Sequence, residues 1–144
     1  MTRTTEIAPG LAIAAQIDKG DIAALAQQGF KTIVNNRPDS EGVPVAAADA
    51  RAEAERLGLR YGYLPVTSST ITTTDIAAFD RLIHDSPKPI VAHCRSGTRT
   101  YLLWAATQTI NGRADAAALV AEAAAKGFDI KSLPDLVARL KPTS

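Results

Sequence analysis

The sequence has little of the material from which several kinds of functional site are built. Its 144 residues include one cysteine, Cys94, and two histidines, so neither an internal disulfide nor a cysteine-rich zinc site is available. The 16 basic and 15 acidic residues nearly cancel, which leaves no strongly basic face for nucleic acid. From these absences we expect no metal, no cofactor and no nucleic-acid partner.

Long apolar runs and a leader pattern are also missing. No run of about 18 apolar residues is present, so we predict no membrane-spanning segment. The apolar run from Leu11 to Ile17 is too short for an export signal, and we therefore expect a cytoplasmic protein. Because 46% of the residues are hydrophobic, a chain of this length can form one compact core, and we predict a single catalytic domain over residues 1–144.

Short apolar runs alternate with longer stretches of helical pattern along the chain. Strands are predicted over 11–17, 32–35, 59–66 and 89–93. Helices are predicted over 18–29, 45–57, 72–85, 99–109, 114–125 and 133–140, the first and third with capping residues at their starts. This alternation predicts an α/β fold with a mostly parallel central sheet and helices on both faces.

The most informative segment begins where the last predicted strand ends. Cys94 follows that strand, a short polar turn follows Cys94, and a helix starts near Arg99. Loop N–H groups and a helix N-terminus then face one point, which attracts an anion and favours a cysteine thiolate. Gly97 permits the turn. A lone cysteine is usually a small buried hydrophobe, but the polar residues here favour Cys94 as a nucleophile and Arg99 as its oxyanion-binding partner.

Other residues near this turn are candidates for weaker roles. We expect substrate-binding roles for Arg95, Ser96, Gly97, Thr98 and Thr100. Strand alternation directs His93 away from Cys94, so His93 either orients the loop by hydrogen bonding or is a satisfied core histidine. Arg37 and Asp39 follow the second predicted strand at the same sheet edge, where they either line the pocket or belong to a turn with an internal ion pair.

The segment Pro89–Thr100 resembles the active-site loop shared in outline by cysteine-based phosphatases and rhodanese-type sulfurtransferases. Together with the segments Gly29–Asp39 and Tyr63–Val66, it makes nearly the whole chain resemble the phosphatase-like domain of bacterial beta-lactamase hydrolase-like proteins. The resemblance implies the fold of dual-specificity phosphatases. Some relatives fuse this domain to a sulfur-oxidising metallohydrolase, so the resemblance also implies such an enzyme as a functional partner.

Two features favour sulfur transfer over phosphate hydrolysis. Phosphatases of this type place one residue more between cysteine and arginine than the four that separate Cys94 from Arg99, and the shorter spacing is similar to that of rhodaneses. The stretch Thr67–Thr74 holds no acid to protonate a leaving oxygen, and Asp75 is better explained as a helix cap. We therefore predict a sulfurtransferase that forms a persulfide on Cys94 and passes sulfur to a small thiol or cyanide.

Two alternatives stay open at this point. One is a phosphatase that forms a phosphocysteine on Cys94, with Thr100 assisting its hydrolysis and with Asp39 as a possible acid. The other is a module that binds oxyanions or persulfides without turnover. In all three cases the expected partner is a small anion, namely thiosulfate, a persulfide or a phosphate ester.

Overall fold

A computed structural model describes residues 3–141, in which five strands form one sheet. The strands are β1 (Thr4–Ala8), β2 (Leu11–Ala14), β3 (Thr32–Asn35), β4 (Arg60–Tyr63) and β5 (Ile90–His93). Their order across the sheet is β1-β2-β5-β3-β4. Only β1 is antiparallel to its neighbour, and β2, β5, β3 and β4 run parallel. The predicted mostly parallel α/β sheet is therefore confirmed.

Six α-helices connect and follow these strands within the described residues. They are α1 (Lys19–Gln27), α2 (Ala47–Arg56), α3 (Thr73–Asp85), α4 (Thr98–Ile110), α5 (Ala116–Ala125) and α6 (Leu133–Leu140). Reciprocal capping hydrogen bonds begin α1 at Asp18 and α3 at Thr72. The partner of Thr72 is Asp75, which confirms that Asp75 caps a helix.

The helices cover both faces of the sheet, as predicted. On one face, Ile33 and Val91 pack against side chains from α1 and α2. On the other, Val34 and Ala92 belong to a larger apolar cluster with α3, α4, α5 and α6. Alternation along β3 and β5 assigns neighbouring residues to opposite layers. Helix α4 lies inside the larger layer, and its residues 100–107 are all buried.

Three parallel strands end side by side and place their following loops together. Ala14 of β2 and Asn35 of β3 are both in register with His93 of β5. The Gln16 N–H donates to the Arg95 carbonyl at 3.1 Å, and the Asn36 N–H donates to the His93 carbonyl at 2.8 Å. The loops after β2 and β3 therefore flank the loop after β5, which begins with Cys94.

Two other features are absent from residues 3–141. No helix in this range is long and apolar enough to cross a membrane. The same residues contain no group of three or more histidine, cysteine, aspartate or glutamate side chains placed to hold a metal ion.

Candidate active site

The loop from Cys94 to the start of α4 turns back on the cysteine sulfur. Gly97 donates its N–H to Cys94 Sγ at 3.1 Å and directly precedes α4. Its backbone has φ +94°, a conformation that glycine adopts without strain. The hydrogen bond and the positive end of the α4 dipole both stabilise a negatively charged sulfur. This arrangement can hold Cys94 as a nucleophile, although the residue is only 1% exposed.

Arg99 connects the cysteine loop to the loops that follow β3 and β4. Its guanidinium donates to the Val66 carbonyl at 3.0 Å, in the segment after β4. The same group forms an ion pair with Glu41, in which Nη1 lies 3.0 Å from Oε2 and Nη2 lies 3.1 Å from Oε1. This two-pronged contact is the geometry by which arginine binds a carboxylate or a phosphoryl group.

Glu41 is one of two residues of this site that sequence reasoning missed. It ends a 3-10 helix, Asp39–Glu41, after β3, and its Oε1 also lies 3.1 Å from Arg37 Nε. Hydrogen bonding to Arg99 is the largest influence on its pKa, which is lowered, with a further contribution from Arg37 and partial opposition from burial. Of these two contacts, only the one between Arg37 and Glu41 has a sequence signal, which is their spacing of four residues.

Arg37 lies at the predicted sheet edge, but its ion pair differs from the predicted one. Arg37 is buried, and its Nη1 donates to Gln16 Oε1 at 3.2 Å. The ion pair of this turn joins Arg37 to Glu41 rather than closing within Asn36–Asp39. The carboxylate of Asp39 instead accepts the N–H of Ala47 at 3.0 Å, at the start of α2. Asp39 therefore stabilises a helix N-terminus in this structure.

A buried polar contact fixes the other side of the loop. Thr100 Oγ1 donates to Asn36 Oδ1 at 3.0 Å, and Asn36 Nδ2 donates to the Leu64 carbonyl at 2.9 Å. Both side chains are fully buried. Thr100, predicted to bind substrate, thus ties the first turn of α4 to the loops after β3 and β4, and Asn36 is a second residue that sequence reasoning missed.

His93 combines the two roles that the sequence left open. It is 1% exposed, and its Nδ1 lies 3.4 Å from the Cys94 carbonyl, which can only accept a hydrogen bond. Burial lowers the pKa of His93 to about 4, with a smaller contribution from the charge of Arg37, while the contact with the carbonyl acts in the opposite direction. His93 is therefore a neutral core residue that touches the cysteine loop.

The remaining predicted residues lie around the mouth of the loop. Arg95 and Ser96 are exposed, and Thr98 is half-buried. The structure thus joins Cys94 and Gly97 by a hydrogen bond and places Arg99 in the first turn of α4, with its guanidinium on Val66 and Glu41.

Comparisons with known proteins point to one family. Residues 3–111 match the family described as "Beta-lactamase hydrolase-like protein, phosphatase-like domain". A beta-lactamase hydrolase-like protein of Xylella fastidiosa (strain 9a5c) is 37% identical over 129 residues, which is 89% of this chain and 30% of that protein. The chain thus spans under a third of the length of this curated relative.

Solved structures share the fold. A candidate phosphatase from Neisseria meningitidis Z2491 superposes with a TM-score of 0.81 at 30% identity, covering 94% of this chain and 96% of that one. A cysteine-to-serine variant of P. aeruginosa TpbA in complex with phosphotyrosine has a TM-score of 0.70 at 22% identity, covering 94% and 80%. These likenesses confirm the predicted resemblance to the cysteine-based phosphatase fold.

The prediction of a sulfurtransferase is wrong, because the matching family and these structural neighbours are phosphatase-like. The four-residue spacing sets how many loop amides surround an anion, but it does not determine which anion is bound. The missing acid in Thr67–Thr74 is also weak support, since an activated aryl leaving group needs little protonation.

Proposed function

The chain belongs to the family of phosphatase-like domains of beta-lactamase hydrolase-like proteins, and we propose that it is a cysteine-dependent phosphatase acting on small phosphate monoesters. The observation that carries the proposal is the hydrogen bond from Gly97 to Cys94 Sγ at the start of α4, in the same turn as Arg99. This turn offers a nucleophile and a two-pronged cation to one tetrahedral anion. The phosphotyrosine bound to TpbA supports a phosphate ester as substrate.

The reaction has two displacements at phosphorus. In the first, the Cys94 thiolate forms an S–P bond while the P–O bond to the leaving group breaks, and the departing oxygen leaves as a phenolate or, in an alkyl ester, takes a proton from solvent. In the second, water attacks phosphorus, the S–P bond breaks, and inorganic phosphate and the thiolate are released. Arg99 stabilises the charge on the phosphoryl oxygens in both steps, and the amides of Ser96–Arg99 surround them.

The leaving group decides which esters react well. Thr67–Thr74 provides no acid, Asp39 is engaged at the start of α2, and the lowered pKa of Glu41 keeps it ionised at neutral pH. We therefore expect aryl phosphates, whose phenolates leave readily, to react much faster than alkyl phosphates.

The test measures hydrolysis of p-nitrophenyl phosphate. Cys94→Ser removes the nucleophile and is expected to lower kcat at least about a thousandfold. Arg99→Lys keeps the positive charge but loses the paired N–H donors of the guanidinium group, and we expect kcat/KM to fall about a hundredfold. Arg113→Lys is the matched control, because Arg113 also forms a two-pronged pair with a carboxylate, that of Asp80, outside this loop.

A covalent intermediate distinguishes the proposal from background hydrolysis. Acid quenching during turnover followed by mass spectrometry is expected to show a phosphoryl group on Cys94 and none on Cys94→Ser. Undiminished hydrolysis by Cys94→Ser would contradict the proposal.

One observation favours binding without turnover as a second candidate. Cys94 is 1% exposed, so its sulfur presents very little surface to a phosphoryl group in this structure. If the protein binds an oxyanion but neither hydrolyses aryl phosphates nor forms the covalent adduct, the binding-module interpretation replaces the phosphatase.

Three broader expectations stay predictions. They are a single domain over residues 1–144, a cytoplasmic location, and cooperation with a sulfur-oxidising metallohydrolase. The last rests only on the resemblance to longer relatives, of which this chain spans 30%.

A further inference from the structure

The carboxylate of Glu41 is bound in the way that an oxyanion substrate would be bound. Arg99 contacts it through both terminal nitrogens, at 3.0 and 3.1 Å, and Arg37 contacts it through Nε at 3.1 Å. Two guanidinium groups from different loops therefore converge on one pair of oxygens. A carboxylate and one edge of a phosphoryl group present equivalent oxygen pairs to arginine.

The two arginines differ from Glu41 in how firmly they are held. Arg37 also donates to Gln16 Oε1, and Arg99 also donates to the Val66 carbonyl, so each keeps a partner if Glu41 leaves. The side chains of Arg37 and Arg99 are 10% and 16% exposed, whereas that of Glu41 is 26% exposed. The arginines are thus fixed, and the carboxylate lies on the solvent side of the cluster.

When the Glu41 carboxylate moves away, another anion has to take its place beside the two guanidinium groups. Two largely buried guanidinium groups without a counter-ion are unfavourable, because burial strengthens their repulsion and removes their hydration. Glu41 brings one negative charge to the two guanidinium groups, whereas a dianionic phosphoryl group brings two.

We propose that Glu41 is a displaceable carboxylate that occupies the oxyanion site at rest, and that a phosphoryl dianion takes its place on Arg99 and Arg37 together. Arg37 is then a second oxyanion-binding residue, supplied by the loop after β3. The proposal rests on the proposed phosphatase function, because it assigns the ligand of the same site.

The experiment measures the binding of tungstate, a tetrahedral dianion, by isothermal titration calorimetry. Glu41→Gln removes the competing charge and is expected to lower the Kd roughly fivefold, the effect of losing a partly exposed ion pair that competes with the ligand. Adding Arg37→Gln to Glu41→Gln is expected to raise the Kd again by about tenfold or more. Arg37→Lys in the same background keeps a cation and tests the result if Arg37→Gln does not fold.

Two controls separate displacement from a general change in charge. Glu41→Asp keeps the charge but shortens the side chain, so it cannot reach both arginines, and its Kd is expected to fall toward that of Glu41→Gln. Glu53→Gln makes the same substitution in another glutamate–arginine pair, Glu53 with Arg56 on α2, and is expected to leave the Kd unchanged.

The outcomes are decisive and do not depend on turnover. An unchanged or higher Kd in Glu41→Gln overturns the displacement, and so does a fall in Glu53→Gln of the same size. A wild-type Kd in Glu41→Asp shows a charge effect only and also overturns it. No effect of Arg37 in the Glu41→Gln background overturns its binding role. Tighter tungstate binding without hydrolysis of p-nitrophenyl phosphate would support the oxyanion site while rejecting the phosphatase.

Discussion

Gly97 is the residue whose substitution tests the cysteine turn most directly. An alanine there would keep an unfavourable positive φ, a cost of about 1–2 kcal/mol. Its Cβ would lie 3.0 Å from Phe128 Cε1, so the ring or the turn would have to shift. We expect Gly97→Ala to lower both the free energy of unfolding, measured in urea, and kcat/KM for p-nitrophenyl phosphate, the latter at least about tenfold.

Gly112 offers the matched control. It also has a positive φ, of +70°, but a Cβ there would meet nothing within 4 Å. Gly112→Ala is therefore expected to lose stability through backbone strain alone and to keep the wild-type kcat/KM. If both variants keep full activity, the Gly97 turn does not position the sulfur.

Single residues show where sequence reasoning works and where it stops. Cys94, Gly97 and Arg99 could be assigned to one site because they are close in the chain and follow an apolar strand. Glu41 could not, because its contact with Arg99 spans 58 residues and depends on how two loops meet. An exposed glutamate in a polar turn has no pattern that distinguishes it from a solvated one.

At the scale of elements, the hydrogen bond between Thr100 and Asn36 joins α4 to the end of β3. Thr100→Val keeps the shape of the side chain but removes the hydroxyl that donates to Asn36 Oδ1. Because a buried acceptor then loses a partner, we expect the free energy of unfolding to fall by about 1–3 kcal/mol. Denaturation in urea, followed by circular dichroism, measures the change.

Thr107→Val is the control for this prediction on the same helix. Thr107 is also buried, but its hydroxyl donates to the Leu103 carbonyl of α4 itself, one turn earlier. Removing it leaves no isolated buried group, since that carbonyl belongs to the helical ladder, and the expected loss is smaller. Equal losses of unfolding free energy in the two variants would mean that the hydrogen bond between α4 and the end of β3 stabilises the protein no more than a hydrogen bond within α4.

Elements were predictable where a local signal marks their ends. Asp18 and Thr72 gave the starts of α1 and α3, and both capping boxes are present. β1 was not predicted, because it is a half-buried antiparallel edge strand without alternation. The strand predicted over 59–66 ends at Tyr63, although the N–H groups of Leu64 and Val66 still bond to the carbonyls of Asn35 and Asn36.

Across the whole molecule, the two layers beside the sheet differ in chemistry. The cluster around α3, α4, α5 and α6 is almost entirely apolar, and Tyr101 is its only phenol. The smaller cluster around α1 and α2 contains Tyr61, whose pKa burial raises to about 12. Because side chains alternate along a strand, His93 lies on the same face of β5 as Val91, which belongs to the smaller cluster. The smaller layer therefore contains two buried groups, Tyr61 and His93, whose pKa burial shifts away from the usual value.

Acid is expected to destabilise the protein through His93 before the carboxylates respond. Its pKa is lowered from 6.5 to about 4, so the unfolded chain binds a proton that the folded protein excludes. The stability from this group is complete above pH 6.5, falls as the pH drops from there to about 4, and is then lost, a total of about 3 kcal/mol. Urea denaturation at a series of pH values measures this slope. His93→Asn is expected to flatten it, and His84→Asn, at an exposed histidine, to keep it. A wild-type slope in His93→Asn would show that another group carries the acid sensitivity.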